Sequence, residues 1–235
     1  MTMIRFSAAG VRVRVDDDLR TLLHPTSLDL TERRVSVIGA NGSGKSTLLR
    51  LVNGLTLPTT GSVSVDGVDT HSRGADVRRL VGFVFTDPLA QLVMPTGLED
   101  VMLSLRRTGI RARDRRRAAL DHIAAFGLGG HSEQSIYDLS GGQRQLMALA
   151  SVLATAPRVL VLDEPTTLLD LTNRERFRRV LNGLHQQILF STHDLELALD
   201  AERTLVVNSG TIAFDGAPAD AVRFYRELAV TGTPS

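Results

Sequence analysis

The chain has 235 residues, of which 43% are apolar, and a formal charge of +1. This is enough for one α/β domain, or a core domain with a subdomain, and the near-neutral charge argues against general nucleic-acid binding. The chain contains no cysteine, so disulfides and thiolate chemistry are excluded. We expect no signal peptide, since the first residues lack a long apolar run, and no membrane span, since the longest weakly polar stretch, Leu146–Ala156, is too short.

Strands and turns are predicted from residue 4 to 38. Val11, Val13 and Val15 alternate with arginines, the pattern of a half-exposed strand, and the apolar run Val35–Ile38 indicates a short buried one.

A phosphate-binding loop is predicted at Gly39–Thr47, which follows that buried strand and precedes a helix-forming run. It fits the pattern of Gly, four residues, Gly-Lys-Ser/Thr. Glycines allow main-chain N–H groups to surround a phosphate, and the helix N-terminus adds positive potential. Lys45 would bring a charge to the β and γ oxygens, and Ser46 would give a hydroxyl ligand to Mg²⁺. Lys45 is also the only lysine among 27 basic residues. The chain is therefore predicted to bind a nucleoside triphosphate.

The middle of the chain changes from strand to helix. The alternation at 61–67 predicts an antiparallel β piece, and 80–85 predicts an apolar strand. From Pro95 onward the apolar spacing is helical. The segment 106–117 then carries seven arginines. It is open to two interpretations: a solvated helix face with its loop, or a surface close to lipid headgroups or a membrane partner.

A second group of candidate binding and catalytic residues follows. Leu139–Gln143 precedes an amphipathic helix, where it can act as an N-cap or present donors to an anion. The run Val159–Leu162 predicts a strand buried on both faces, and it ends in Asp163 and Glu164. Asp163 suits a place on Mg²⁺, directly or through water, and Glu164 suits a general base for the attacking water.

A further short strand, 188–190, leads into Ser191, Thr192, His193 and Asp194, and would bring His193 to the γ-phosphate. Residues 205–214 are predicted to form a closing hairpin.

In their order along the chain these motifs resemble those of the ATP-binding cassette (ABC) ATPases, with Thr166–Asp170 as a further match. The resemblance implies an α/β P-loop fold with a mixed, mainly parallel core sheet, an N-terminal antiparallel β subdomain and an inserted helical subdomain. In a single 1–235 domain, residues 1–88 and 155–235 would form the core with the β subdomain. Residues 89–154 would form the helical subdomain.

The resemblance also implies ATP and Mg²⁺ as ligands and a head-to-tail dimer, in which the signature of one subunit binds the γ-phosphate held by the other. Asp170 would communicate across the interface, and Glu164 and His193 would drive hydrolysis. The expected nucleotide contacts are Gly39, Asn41, Gly42, Ser43, Gly44, Lys45, Ser46, Thr47, Ser140, Gly141, Gly142, Gln143 and Asp170. The expected metal contacts are Ser46, Asp163 and Thr86.

The stretch Val81–Val101 looks like the ATPases of energy-coupling factor importers, and most resembles those of bacterial biotin importers. This implies a transmembrane coupling subunit, a small substrate-binding membrane subunit, a second ATPase subunit and a peripheral location on the cytoplasmic face of the bacterial membrane. The helix at 96–107 would receive the coupling helices. A cobalt, nickel or other vitamin importer is the alternative within transport. Two further alternatives remain. One is a soluble cassette ATPase of DNA repair or chromosome structure, although such proteins insert a long coiled coil that this sequence does not contain. The other is a non-catalytic nucleotide switch.

Two positions depart from the family pattern. Thr86 stands where the family usually has glutamine, and its shorter hydroxyl would act through water, without making Gln91 its substitute. No aromatic residue lies between Phe6 and Phe83, where the family stacks the adenine. The side chain of Arg14 or Val15 is the expected replacement, with loose base selectivity as the consequence.

Overall fold

The computed structural model describes residues 2–16 and 18–231, so the outermost residues of the expected 1–235 domain lie outside the description. Contacts divide the chain into two units. The first unit comprises Met1–Val81, Arg158–Glu164 and Gln186–Ser235. The second comprises Gly82–Pro157 and Pro165–His185.

The strands of the described residues are, in chain order, β1 (Ile4–Val15), β2 (Asp18–Leu30), β3 (Arg34–Ile38), β4 (Thr60–Val65), β5 (Val68–Asp69), β6 (Val81–Val84), β7 (Val159–Asp163), β8 (Gln187–Ser191), β9 (Arg203–Asn208) and β10 (Thr211–Gly216). The α-helices are α1 (Lys45–Val52), α2 (Gly74–Leu80), α3 (Gly97–Leu105), α4 (Arg115–Ala125), α5 (Gly141–Leu153), α6 (Leu171–Gly183), α7 (Leu195–Ala198) and α8 (Pro218–Thr231). Short 3₁₀ turns lie at Pro88–Ala90, Ala112–Asp114 and Gly129–His131.

The core sheet of the first unit has the strand order β10-β9-β3-β8-β7. The four strands β9, β3, β8 and β7 are parallel, and β10 is antiparallel to β9, as the predicted closing hairpin requires. Every residue of β7 and β8 is buried, which explains their nearly continuous apolar sequences. Parallel strands end at a common edge of the sheet, so the residues after β3, β7 and β8 lie close together.

The predicted antiparallel β piece is confirmed as a second sheet of the first unit, with the order β2-β1-β4-β5. Ile4 pairs with Leu30 on β2 and with Val65 on β4, and all three side chains are buried. The β1–β2 ladder contains three register shifts, which bend the hairpin and change the face on which successive side chains lie. The mixed, mainly parallel core sheet expected for this fold class is likewise present.

The second unit consists mainly of helices and includes α3, α4, α5 and α6. We expected the helical part at 89–154 and residues 155–235 in the core, whereas contacts group 165–185 with the helices. The physical reason is local: Arg176 of α6 donates to the main-chain carbonyls of Phe126 and Gly127. Within the described part of the chain, no helix has both the length and the apolar character needed to cross a bilayer.

Candidate active site

The phosphate loop leaves β3 at Gly39 and enters α1 at Lys45, so the predicted strand–loop–helix context is confirmed. Gly39, Gly42 and Gly44 all adopt positive φ angles, of 149°, 74° and 111°. At Gly39 an added Cβ would lie 2.2 Å from the carbonyl oxygen of Val207, and at Gly44 it would lie 2.8 Å from that of Leu22. Glycine is therefore required at these two positions by backbone conformation and by close approach.

The first turn of α1 is arranged for an anion. Gly44 provides no side-chain cap and the turn contains no acidic residue, so its N–H groups are available to a ligand. Ser43 is buried, and its Oγ has no hydrogen-bond partner among the described residues. A buried hydroxyl without a partner is costly, and a phosphate oxygen would satisfy it.

Lys45 is held inside the loop that precedes it. Its Nζ donates to the carbonyl oxygens of Gly39 at 2.8 Å and Ala40 at 3.1 Å, and lies 3.6 Å from Oε1 of Glu164. Burial lowers the pKa of the Lys45 ammonium below its ordinary value, and the Glu164 carboxylate partly opposes that shift. A compact positive charge held within the phosphate loop fits the predicted role of Lys45 toward phosphate oxygens.

Asp163 joins β7 to the phosphate loop and to β8. Its Oδ1 accepts from Ser46 Oγ at 2.9 Å and from Ser191 Oγ at 2.8 Å, while Arg50 lies 3.8 Å from its other oxygen. The hydroxyl of Ser46 and the carboxylate of Asp163 are oxygen donors of the kind that Mg²⁺ takes from proteins. The structure therefore places two of the expected metal contacts, Ser46 and Asp163, within hydrogen-bond distance of each other.

Glu164 is fixed by β8 and by the residues that follow it. Its main-chain N–H donates to Ser191 Oγ at 3.0 Å, and its carboxylate accepts from the His193 main chain at 3.1 Å. The His193 ring places Nε2 3.0 Å from Glu164 Oε1. Glu164 also has a φ of +51°, a strained value for a residue with a Cβ, which these contacts maintain. Ser191 is the link that the sequence analysis left without a role.

The loop, Glu164 and His193 line one pocket of about 290 Å³, to which β2 contributes Arg20 and Leu22. Among the described residues, no Phe, Tyr or Trp lines this pocket, which agrees with the gap noted in the sequence. Arg14 and Val15, the expected replacements for the aromatic residue, do not line this pocket, and their contact with the base stays a prediction. Arg20, which lies opposite Val13 in the β1–β2 ladder, is the residue that sequence reasoning missed.

The signature residues lie in the second unit, at the N-terminus of α5. Ser140 and Gln143 form a capping box: Ser140 Oγ accepts from the Gln143 N–H, and Gln143 Oε1 accepts from the Ser140 N–H at 2.8 Å. The other end of the Gln143 amide lies 3.1 Å from His131 Nε2. An amide nitrogen only donates, so this His131 nitrogen acts as the acceptor, and His131 thereby supports the motif.

Asp170 caps α6 in the same unit, where its carboxylate accepts from the main chain of Asn173 at 2.8 Å and from its side chain at 3.0 Å. Asn173 also approaches the signature, since a Cβ added to Gly142 would lie 2.2 Å from the Asn173 amide. The two motifs are thus connected through Asn173, a residue that no sequence pattern had indicated.

Thr86 follows β6 in the second unit, whereas Ser46 and Asp163 belong to the first. Nearby Gln91 is committed to the main chain, because its Oε1 accepts from Phe85 N at 3.2 Å and its Nε2 donates to Ala148 O at 3.0 Å. These bonds agree with the view that Gln91 does not replace the missing glutamine.

The fold and the pocket define a P-loop nucleoside triphosphatase. The ABC transporter family model matches residues 23–167, and the chain belongs to that family. Biotin transport ATP-binding protein BioM of Rhizobium etli is 42% identical over 96% of this chain and 99% of its own length. Cobalt import ATP-binding protein CbiO of Syntrophus aciditrophicus is 36% identical over 88% of this chain and 76% of its own length. A dimeric ATP-binding cassette solved in a post-hydrolysis state with ADP and Pi gives a TM-score of 0.82 at 27% identity, covering 92% of this chain and 98% of that one.

Membership of this family establishes the chemistry of the pocket: the chain binds ATP and hydrolyses it. The Ser43 hydroxyl, which has no hydrogen-bond partner in the part of the chain that the structure describes, and the uncapped first turn of α1 fit that ligand.

Proposed function

We propose that the chain is the ATPase subunit of an energy-coupling factor importer whose cargo is biotin. The observation that carries the proposal is the 42% identity to a biotin transport ATPase, which extends over nearly the whole of both chains. Cobalt is the second candidate cargo, because a cobalt import ATPase is 36% identical over most of this chain.

For hydrolysis, Glu164 acts as the general base that takes a proton from the attacking water. His193 orients the Glu164 carboxylate from two sides, through its main chain and its ring. Lys45, released from the carbonyls of Gly39 and Ala40, neutralises charge on the transferred phosphoryl group. A base positioned in this way typically contributes 10²–10⁴-fold to the rate.

Ser46 and Asp163 would hold Mg²⁺, whose chemistry when bound is to neutralise the phosphate oxygens. The Ser46–Asp163 hydrogen bond of 2.9 Å keeps both oxygen donors together, and Ser191 fixes the carboxylate from the other side. Thr86 would reach this metal only through water.

Two ATPase subunits would associate head to tail, so that Ser140, Gly141 and Gly142 bind the γ-phosphate held by the partner. The exposed position of Ser140 and Gly141 at the start of α5 supports this role. Asp170 would sense the partner across the interface. The dimeric form of the related cassette is consistent with this arrangement.

The transmembrane coupling subunit and the small substrate-binding membrane subunit would be separate chains. The ATPase would then work as a peripheral protein on the cytoplasmic face of the bacterial membrane. Exposed Val93, together with the partly exposed Met102 and Leu103 of α3, would provide an apolar contact for the coupling subunit.

The catalytic assignment is tested by Glu164→Gln and Lys45→Ala. Glu164→Gln should retain ATP binding and lose 10²–10⁴-fold in turnover, since the amide cannot accept the proton. Lys45→Ala should fail at nucleotide binding. The matched control is Glu175→Gln, which changes an exposed carboxylate on α6. Near-normal turnover of Glu164→Gln would show that another group is the base.

The partners and cargo are tested by purifying tagged Glu164→Gln from native membranes in mild detergent with Mg-ATP. Two small membrane subunits together with biotin would support the whole proposal. The same subunits with cobalt or another vitamin would preserve the mechanism and replace the cargo. Recovery without any membrane protein would indicate an ABC ATPase that does not act in transport.

A further inference from the structure

The most basic stretch of the sequence is the arginine segment, residues 106–117. It contains seven arginines and one acid, Asp114, and so has a formal charge of +6. Since the whole chain carries +1, the other residues together carry −5. The charge is therefore strongly segregated, although its total is close to neutral.

Most of these arginines point to solvent. Six of the seven are exposed, and only Arg115, whose Nε donates to the carbonyl of Ile110, is half-buried. Among the described residues, the side chains of Arg106, Arg107 and Arg111 take part in no hydrogen bond or ion pair. Most of the positive charge of the segment is therefore not neutralised by an acidic partner.

The remaining arginines have exposed or loose acidic partners. The Arg113–Asp114 and Arg117–Asp121 pairs have N–O distances of 3.8 and 4.0 Å, with side chains that are mostly exposed. Arg116 pairs with Glu133, again with both groups exposed. Pairs of this kind contribute little to stability, so they do not explain why the arginines are concentrated here.

The C-terminal part of the segment begins α4, and this position adds to its positive electrostatic potential. Three consecutive arginines begin the helix at Arg115, and its first turn contains no acid. A helix N-terminus carries partial positive charge and favours acids, so these arginines act against local helix stability. A local conflict of this kind is expected where a residue pattern serves a function.

We propose that the arginine segment binds the anionic phospholipid headgroups of the membrane. Guanidinium groups bind phosphates in a bidentate manner, and basic residues near an anionic leaflet each raise the affinity about fivefold. Lipid fits better than nucleic acid, because the −5 charge of the other residues would oppose a polyanion that extends beyond the segment. This contact lies beyond the proposed function and does not depend on the cargo or on the membrane subunits.

The test is flotation of the purified full chain with vesicles of phosphatidylcholine alone or with phosphatidylglycerol added. We compare wild type with Arg106→Gln/Arg107→Gln/Arg111→Gln. The control, Arg12→Gln/Arg78→Gln/Arg226→Gln, removes the same charge from three exposed arginines elsewhere, which also have no side-chain partner among the described residues. Basal ATPase activity of each variant reports folding.

The expected result is binding of wild type to the anionic vesicles alone, weakened by salt, with a loss of at least tenfold in the segment variant and little loss in the control. Equal losses in both variants would overturn the proposal in favour of overall charge. Equal binding to both vesicle types would overturn it as well. If wild type bound neither kind of vesicle but did bind membranes of its source cells, the lipid proposal would be overturned. The contact would then be with a membrane protein, and the proposed function would be unaffected.

Discussion

Replacement of Ser191 by alanine should remove one hydrogen bond from the Asp163 carboxylate and one from the main chain of Glu164. Ser191 is fully buried at the end of β8. Its single hydroxyl donates to Asp163 at 2.8 Å and accepts the N–H of Glu164 at 3.0 Å. Asp163 would keep its bond from Ser46, whereas the strained Glu164 backbone would lose this partner.

The expected cost follows from these two bonds. A hydrogen bond to a charged group is worth about 1.5–3 kcal/mol, and a buried donor without a partner costs about 1–3 kcal/mol. The two terms overlap because one hydroxyl serves both groups, so Ser191→Ala should lose about 2–4 kcal/mol of unfolding free energy. Turnover should fall at least tenfold, since a shifted Glu164 no longer aligns the water, while ATP binding through the phosphate loop should change little.

Urea unfolding and steady-state ATPase assays would measure both effects. The control is Ser36→Ala on β3, which removes an equally buried hydroxyl that bonds to Thr204 Oγ1 at 2.7 Å and to the carbonyl of Ala198. Ser36→Ala should lose stability without a specific loss of turnover. If Ser191→Ala behaved like Ser36→Ala in both assays, the proposed positioning of Glu164 through Ser191 would be refuted.

Four other outcomes are expected. Arg20→Ala should weaken ATP binding by up to tenfold and leave tripolyphosphate binding unchanged, because the Arg20 guanidinium on the pocket wall would stack on the base. Calorimetry distinguishes this from a phosphate contact, whose loss would weaken the binding of both ligands. Wild type should show little preference for ATP over GTP. Thr86→Gln should keep or raise ATPase activity, and complete loss would contradict the role given to Thr86. Arg203→Leu should lose about 2–3 kcal/mol in urea unfolding, since Asp215 and Glu32 lose a half-buried guanidinium whose pKa they raise; an unchanged midpoint would show that the cluster is neutral for stability.

The phosphate loop and the buried strand before Asp163 could be predicted because their chemistry depends on short, contiguous patterns. Glycine spacing fixes the loop, and a continuous apolar run fixes β7. The closing hairpin could be predicted as well, since turn residues separate two alternating runs.

The supports of the site could not be predicted in the same way. Ser191 reaches Asp163 only because β7 and β8 pair in one particular register, which joins residues 28 positions apart. Asn173 and His131 act on the signature through contacts between segments that carry no motif of their own. Arg20 was missed because the register shifts in β1–β2 alter which side chains share a face.

Because the chain contains a single lysine, its reactions with amine-directed reagents are confined to very few positions. Apart from the terminal amine, every reagent that acylates primary amines has one possible target, and that target is the buried Lys45 inside the nucleotide pocket. Amine-directed crosslinking and lysine acetylation would both modify Nζ of Lys45, and a lysine-specific protease would cut only the peptide bond that follows Lys45. The rate of labelling at Lys45 therefore reports how accessible the nucleotide site is, with and without bound nucleotide.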